Sequence, residues 1–336
     1  MIGIDIGSKS IKVIELNKRG NSWELLTSGA VGYQGISPDK ILNEESYQSL
    51  ADILKKVISQ VGIRGREVNL SLPESATFTR VIKFPLLSDE EIASAVKWEA
   101  EQYIPIPVTE AVVQYNLLER NQQKAYVSVL LVAVPKNIVE KYMKVIKLAG
   151  LMPVVAETEL TAISRSLSPE KGTHIVLDIG SSATNVGIVR DLNIVFARSI
   201  PVGGEAFTRA VSQYFNIDLA QAEEYKKTYG LQSNQLEGKV KASLEPICRV
   251  IIDEIKKAIH FYTTEIEGSE TPKSIVITGG ASSMPDIVSY LAENLGLETA
   301  IGNPFSKINI DEESNKKLLP FASLYGATVG LAMREE

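Results

Sequence analysis

A short sequence that occurs twice constrains the fold of this chain more than any other feature. Residues 4–8, IDIGS, recur at 177–181 as LDIGS. Each copy is followed by two further stretches with the composition of β-strands, at 11–16 and 23–31 in the first half and at 185–189 and 194–200 in the second. A segment that recurs about half a chain later, followed each time by the same strand pattern, indicates two related units. We therefore predict an α/β protein with two similar halves, residues 1–168 and 169–336, each opening with a three-stranded meander.

The composition fits two ordinary domains and excludes several classes of protein. A chain of 336 residues with 44% apolar residues can bury two cores. The net charge of -6 leaves no basic surplus, so we do not expect nucleic-acid binding. Cys248 is the one cysteine and lies in an apolar helical pattern, which predicts a buried thiol. His174 and His260 are far apart and provide no zinc ligand set.

Apolar stretches in the sequence are short. The longest, at 127–134, is far below the ~20 residues of a membrane-spanning helix and predicts a buried strand. The first residues lack the basic start and apolar run of a secretory signal. We therefore expect a cytoplasmic protein that does not insert into the membrane directly.

The first half is predicted to carry a small α+β insert at residues 77–156. Its expected strands are 79–84, 112–118, 126–134 and 153–156, and its expected helices are 89–103 and 137–149. Ser88, followed by three acidic residues, is a typical helix start. Outside the insert, the pattern predicts helices at 46–61, 159–167, 205–215, 219–229, 238–267, 285–295 and 321–333, and strands at 67–72 and 274–278.

The first copy of the repeat has the chemistry of a phosphate-binding turn. Gly7-Ser8-Lys9-Ser10 leaves backbone N–H groups free to face an anion, and Lys9 adds a positive charge. Asp5, at the strand end, is placed to hold Mg²⁺ through the water shell of the ion. Taken alone, the motif favours an ordinary hairpin turn over a phosphate site.

The second copy strengthens the phosphate interpretation, because two turns of one type in two similar halves can face a single ligand. Asp178 supplies a second carboxylate for the waters of a metal ion. The predicted contacts to the nucleotide in this turn are Gly180, Ser181, Ser182, Thr184 and Asn185.

Two further glycine pairs complete the candidate nucleotide site. Gly279-Gly280-Ala281-Ser282 runs from a buried strand into a helix and lets a flat ring lie on the backbone. Gly203-Gly204-Glu205 opens a helix where the backbone permits close approach and Glu205 reaches a ribose hydroxyl. Read separately, the first is an ordinary strand-to-helix connection and the second an ordinary helix start.

In this order the four elements resemble the two phosphate loops and the adenosine loop of the actin, Hsp70 and sugar-kinase superfamily. Residues 159–162 and 324–330 resemble its two connecting helices, with Leu160 in place of a frequent proline. The resemblance covers nearly the whole chain. It implies the actin-like ATPase fold, with two ribonuclease-H-like halves that bind ATP and Mg²⁺ between them.

Within that superfamily the chain is most similar to the PilM family of type IV pilus assembly, also known as competence proteins and related to FtsA. Phe84-Pro85 and residues 97–107, KWEAEQYIPIP, carry this similarity. Residues 77–156 would then be the counterpart of the subdomain called 1C. Trp98 and Tyr103 are candidate partner-binding residues, although both also fit a role as core residues.

The family resemblance implies a cytoplasmic scaffold that binds ATP and the cytoplasmic tail of a PilN-like protein of the inner membrane, and that this partner recruits it to the membrane. Self-association and binding to other pilus assembly proteins stay open. The alternatives are an FtsA-like division protein, a sugar or acid kinase, and a chaperone ATPase. Residues 332–336 show no basic, aromatic tail of the FtsA kind, the first half shows no Asp-centred kinase motif, and no substrate domain follows residue 330.

Hydrolysis requires a residue that orients water in line with the outer phosphate. Glu159 is the candidate, with Glu157 as a substitute, and a helix-capping role for Glu159 is an equal alternative. We therefore expect slow hydrolysis or none.

Overall fold

Residues 1–34, 36–266 and 269–335 are described by a computed structural model, and within them three β-sheets form the framework. The two larger sheets have five strands each and the same arrangement: three antiparallel strands at one side, followed by two parallel ones. A three-stranded antiparallel sheet belongs to the insert. The internal repeat therefore marks two copies of one topology.

The first half is built on a sheet with strand order β3-β2-β1-β4-β8. Alternating burial of β2 and the apolar face of α1 place the core between sheet and helices. Asn43 caps α1 and Gly62 ends it in the left-handed conformation. The elements are β1 (Ile2–Ile6), β2 (Ser10–Arg19), β3 (Ser22–Gly32), α1 (Glu44–Val61), β4 (Glu67–Leu72), α3 (Lys136–Leu148), β8 (Met152–Thr158) and α4 (Glu159–Leu167).

The insert lies between β4 and α3 and has its own apolar core. Ser88 forms the predicted capping box with Glu91, since each side chain accepts a hydrogen bond from the backbone of the other residue. Its elements are β5 (Phe78–Pro85), α2 (Asp89–Tyr103), β6 (Ala111–Asn121) and β7 (Tyr126–Pro135). The range 77–156 thus also contains α3, whose apolar residues enter the core of the first half, and β8, the edge strand of the first-half sheet.

The second half has strand order β11-β10-β9-β12-β13. Cys248 is buried in its core, as predicted. The elements are β9 (Thr173–Ile179), β10 (Thr184–Arg190), β11 (Asn193–Ile200), α5 (Gly204–Phe215), α6 (Leu219–Tyr229), α7 (Lys239–Glu265), β12 (Ser274–Thr278), α8 (Ile287–Leu295), β13 (Glu298–Ile301), α9 (Glu312–Leu318) and α10 (Gly326–Ala332).

Helices α4 and α10 pack against each other where the two halves meet, with Gly330 in contact with Ala162. Arg165 on α4 donates to the Gly330 carbonyl, 2.7 Å away. One apolar cluster joins this pair of helices to β7 of the insert and to β9 and β10 of the second half. The halves and the insert therefore share a core at the base of the space between them.

Three differences from the predicted elements follow from local sequence. The strand β13 and the helix α9 were not predicted, because four and seven residues carry too little periodicity. The helix expected at 321–333 begins only at Gly326, since Leu319–Tyr325 forms a 3₁₀ segment that contains Pro320. The helix expected at 238–267 ends at Glu265; residue 267 lies outside the described residues.

Candidate functional site

A cleft of about 730 Å³ lies between the two halves, at the end of the sheets where β1 and β9 terminate. This volume is in the range of ligand pockets, about 300–1,000 Å³. Most residues predicted to contact nucleotide or metal line it: Asp5, Gly7, Ser8, Lys9, Ser10, Asp178, Gly180, Ser181, Ser182, Asn185, Gly204, Glu205, Gly279, Gly280 and Ala281.

The first turn is closed by the Gly7 N–H, which donates to the Ser10 carbonyl at 3.0 Å. The hydroxyl of Tyr33 donates to the Gly7 carbonyl at 2.6 Å and fixes the turn from the meander. Lys9 Nζ reaches across the cleft to a Glu205 carboxylate oxygen, 2.9 Å away. The turn thus presents a cation directly towards the other half.

The second turn has the same closure, because the Gly180 N–H donates to the Ala183 carbonyl at 2.9 Å. The hydroxyl of Ser182 donates to the hydroxyl of Ser8 at 3.3 Å. The two turns therefore face each other across the cleft at hydrogen-bond distance, the geometry needed to grip one anion from both sides.

Three residues predicted to contact nucleotide support the turns instead of facing the cleft. The buried hydroxyl of Thr184 donates to the Val202 carbonyl at 2.7 Å, and that of Ser282 to the Gly279 carbonyl at 2.7 Å. Gly203 packs beneath the second turn, where an added Cβ would lie 2.6 Å from the Gly180 carbonyl oxygen. These three small residues fit closely against backbone atoms, so their role is in packing.

Three carboxyl groups gather at the base of the cleft: Asp5 is buried, and Asp178 and Glu159 are half-buried. Asp5 pairs with Lys12 at 2.7 Å and accepts a hydrogen bond from Ser71 at 2.7 Å. Burial, and then the charge of Asp5, raise the pKa of Asp178 to about 6. The same causes hold the pKa of Glu159 well above its ordinary value.

Lys12 is a cleft residue that the sequence analysis missed. It stands opposite Asp5 in the β1–β2 register, and the equivalent position opposite Asp178 is Asn185. Burial alone would lower the pKa of Lys12, but the charge and hydrogen bond of Asp5 outweigh it and raise that pKa. A lysine flanked by buried Ile11 and Val13 was the available signal.

Glu159 and Glu157 have different surroundings. Glu159 is the first residue of α4, and the cap of that helix is Thr158. Glu159 Oε2 accepts from Asn185 Nδ2 at 2.9 Å, inside the cleft. Glu157 is paired with Arg165 at 2.6 Å and Arg334 at 2.7 Å and does not line the cleft. The structure thus removes Glu157 as a substitute and removes the capping alternative for Glu159.

Helices α5 and α6 add a polar wall that the sequence analysis also missed. Lys226 is 7% exposed and donates to Glu223, to Thr208 at 2.9 Å and to the Gly204 carbonyl at 3.2 Å. Burial lowers the pKa of Lys226. Ala222 and Lys226, one helical turn apart on the buried face of α6, were the sequence signal.

Opposite this wall lies the turn after β12. Gly279 has a φ of +91°, and an added Cβ would lie 2.5 Å from Asp178 Oδ1. Glycine is therefore required both by the backbone and by the close approach to the metal candidate. Ala281, Met284 and Leu324 provide apolar surface beside this turn.

The two candidate partner-binding residues lie on α2, outside the cleft lining. Trp98 is 63% exposed, so the alternative that it is a core residue is wrong. Tyr103 is half-buried against the insert core, and the Arg80 guanidinium lies 3.8 Å from its ring centroid. Trp98 thus offers exposed aromatic surface, whereas Tyr103 has a packing role.

Residues 1–34, 36–266 and 269–335 contain neither a direct metal-ligand cluster nor a membrane-spanning helix. No group of three or more His, Cys, Asp or Glu side chains there is placed to ligate a metal ion directly. None of the helices in those ranges is long and apolar enough to span a membrane.

Comparisons with known proteins agree on the fold. A family model described as type IV pilus assembly protein PilM matches residues 3–336. A solved PilM-PilN type IV pilus biogenesis complex aligns with a TM-score of 0.84 and 26% identity, over 99% of this chain and 97% of the other.

More distant similarities extend this agreement. MreB 5 of Spiroplasma citri, bound to AMPPNP, aligns at a TM-score of 0.59 and 17% identity, over 98% and 93% of the two chains. The cell division protein FtsA of Enterococcus hirae is 22% identical, over 90% of this chain and 78% of its own length. The predicted actin-like ATPase fold is confirmed.

Proposed function

The chain belongs to the family of the type IV pilus assembly protein PilM, and on this premise we propose that it is an ATP-binding scaffold of the pilus assembly complex. We propose further that it binds the cytoplasmic N-terminal tail of a PilN-like protein and is held by that partner at the inner face of the inner membrane. The similarity to a solved PilM-PilN complex over nearly the whole chain supports this partner.

The observation that carries the nucleotide proposal is the opposition of the two glycine turns across one cleft, joined by the Ser182–Ser8 and Lys9–Glu205 contacts. Their backbone N–H groups would hold the phosphates, with Lys9 and Lys12 supplying positive charge. The Gly279 turn would carry the adenine ring. The MreB 5 structure with AMPPNP supports nucleotide binding in this fold.

The carboxylates at the base of the cleft fit a hydrated Mg²⁺. Asp5, Asp178 and Glu159 bring three carboxyl groups together, and Lys12 is the cation beside them. Mg²⁺ keeps several of its waters, so Asp5 and Asp178 would hold it through water without forming a direct three-residue ligand set. When bound, the ion would offset phosphate charge.

Slow chemistry is proposed from the state of Glu159. Burial, and then the charges of Asp5 and Asp178, hold the pKa of the Glu159 carboxyl group well above its ordinary value. Its Oε2 also already accepts two hydrogen bonds, from Asn185 Nδ2 and the Glu74 N–H. ATP would therefore act chiefly as a structural ligand that sets the angle between the halves.

Partner binding is proposed at the groove between the first half and the insert, with Trp98 as exposed aromatic surface. Calorimetric titration with Mg-ATP, and then with peptides copied from PilN-like tails, tests both parts. We expect one Mg-ATP per chain and peptide binding that Trp98→Ala weakens, while Tyr214→Ala, an exposed aromatic of the second half, leaves it unchanged. Peptides that bind in no nucleotide state would contradict the scaffold, and absence of Mg-ATP binding would contradict the site.

A further inference from the structure

Glu74 is a buried carboxylate that the proposed nucleotide site does not use. It opens the 3₁₀ turn Glu74–Ala76, which joins the end of β4 to β5, and so it lies at the root of the insert. It is 3% exposed, and burial raises its pKa to about 7. Because burying a carboxyl group is costly, its partners indicate what it does.

Glu74 is hydrogen-bonded to the first turn of α4 in both directions, through its backbone N–H to Glu159 and through its carboxylate from Leu160. The Glu74 N–H donates to Glu159 Oε2 at 3.3 Å, and the Leu160 N–H donates to Glu74 Oε2 at 3.4 Å. The root of the insert is thereby fixed to the first turn of α4.

The same carboxylate of Glu159 is tied to the second half. Asn185 Nδ2 donates to Glu159 Oε2 at 2.9 Å and lies 3.3 Å from Asp178 Oδ2. The hydroxyl of Ser199, on β11, donates to Asn185 Oδ1 at 2.8 Å. A continuous series of hydrogen bonds therefore runs from the insert root to the second phosphate turn.

The root of the insert also packs directly on the second half, so a movement of the second half can reach it. The turn Glu74–Ala76 and strand β5 both contact β11 of the second half, so the insert touches both halves. Glu159 and Asn185 line the cleft, whereas Glu74 does not. A ligand that moves the two halves relative to each other acts on one end of the series, and the insert lies at the other end.

We propose that Glu74 is a positioning residue that holds Glu159 from the insert side and transmits occupancy of the cleft to the insert. This inference rests on the proposed nucleotide site and specifies how that site would regulate partner binding. A ligand at Asp178 and Asn185 changes the hydrogen bonds of Glu159, and the two hydrogen bonds between Glu74 and α4 carry this change to the segment that leads into β5.

Hydrogen–deuterium exchange of the full chain, with and without Mg-ATP, tests the proposal without requiring the partner peptide. In the unaltered protein we expect Mg-ATP to slow exchange at residues 5–10 and 178–185, and also in β5, residues 78–85, which lies outside the cleft lining. Glu74→Ala keeps the backbone N–H that donates to Glu159 but loses the carboxylate that accepts from Leu160. The insert root is then released from α4, and we expect slowing at the two turns alone. Glu74→Gln should restore the remote effect, because its amide oxygen accepts the Leu160 N–H.

Glu110→Ala is the matched control, since Glu110 is an exposed glutamate at the end of another 3₁₀ turn of the insert and should behave as the unaltered protein. If Glu74→Ala does not fold, Glu74→Asp makes the same comparison by withdrawing the carboxylate from Leu160. Slowing at residues 78–85 that survives in Glu74→Ala or Glu74→Asp, or that is absent from the unaltered protein, would overturn the proposal. Lack of slowing at the two turns would overturn the nucleotide site itself, and this proposal with it.

Discussion

The two halves share one strand order but place their additional elements at different points of it. In the first half, the insert and α3 lie between the fourth strand, β4, and the fifth, β8. In the second half, α5, α6 and α7 precede the fourth strand, β12. The 3₁₀ turn after the fourth strand is the insert root Glu74–Ala76 in one half and the Gly280–Ser283 turn in the other. The same position in one topology therefore carries the root of the insert in one half and a glycine turn that lines the cleft in the other.

The phosphate turns differ in charge as clearly as they agree in shape. Opposite Asp5 stands Lys12, and opposite Asp178 stands Asn185. The first turn is therefore neutralised within its own half, whereas Asp178 has a raised pKa of about 6. Asp5 thus has a cation within its own half, whereas Asp178 faces an uncharged amide.

Lys12→Met should produce the largest effect, because it leaves Asp5 buried without its cation. Removing one member of a buried ion pair costs about 3–5 kcal/mol of unfolding free energy. Asn185→Met, the equivalent change in the second half, removes no charge and should cost clearly less. Denaturant unfolding of both variants measures the difference, and equal losses would show that the two turns do not differ electrostatically.

Glu74 should set part of the pH dependence of stability. The equivalent turn of the second half begins with Gly280, which has no titratable side chain. The unfolded chain loses this proton near pH 4.5 and the folded chain near pH 7, so stability falls as pH rises between these values. The loss is up to about 3 kcal/mol and is absent in Glu74→Gln. Unfolding free energies at pH 5 and pH 8, with Glu110→Gln as control, check this; parallel profiles for the unaltered protein and Glu74→Gln would refute it.

Asp178→Ala should lower the affinity for Mg²⁺ in the presence of ATP by roughly 10–100-fold. This is the usual effect of losing a group that holds a metal ion from its outer shell. Asp5→Ala should weaken it less, because Asp5 is already paired with Lys12. Asp253→Ala, an exposed aspartate on α7, serves as control. Calorimetry at several Mg²⁺ concentrations measures the effect, and Mg-ATP binding as tight in both cleft variants as in the control would remove the metal assignment.

The Lys9–Glu205 pair should contribute least, although it directly connects the halves. Its side chains are 58% and 40% exposed, and exposed ion pairs contribute up to about 1 kcal/mol. Glu205→Gln should therefore change the unfolding free energy by less than about 1 kcal/mol. A much larger loss in denaturant unfolding would mean that this pair, and not the shared core of α4 and α10, holds the halves together.

The sequence predicted those parts of the fold and site that depend on neighbouring residues. The repeated Asp-Ile-Gly-Ser segments and the Ser88 capping box are local patterns, and both led to the correct elements. The packing roles of Thr184, Ser282 and Gly203 were not predictable, because they depend on how each turn packs against a distant backbone.

Contacts between segments far apart in the sequence were also beyond prediction. Lys226 reaches the cleft only because α6 packs on α5, and the bond between Glu74 and Glu159 joins residues on either side of the insert. The pairing of Glu157 with Arg334 likewise depends on α10 returning to the first half. A single sequence does not show which distant residue such a side chain contacts.

We propose above that both halves hold ATP as a structural ligand. A single-turnover assay with labelled ATP tests this proposal most directly. The protein is mixed with less than one equivalent of Mg-ATP, with and without a PilN-like tail peptide, and product is followed over time. We predict intact bound ATP after many minutes, far from the turnover of about 1–100 per second of a typical kinase. Fast hydrolysis in either condition, abolished by Glu159→Ala, would contradict the claim and make this protein a working ATPase.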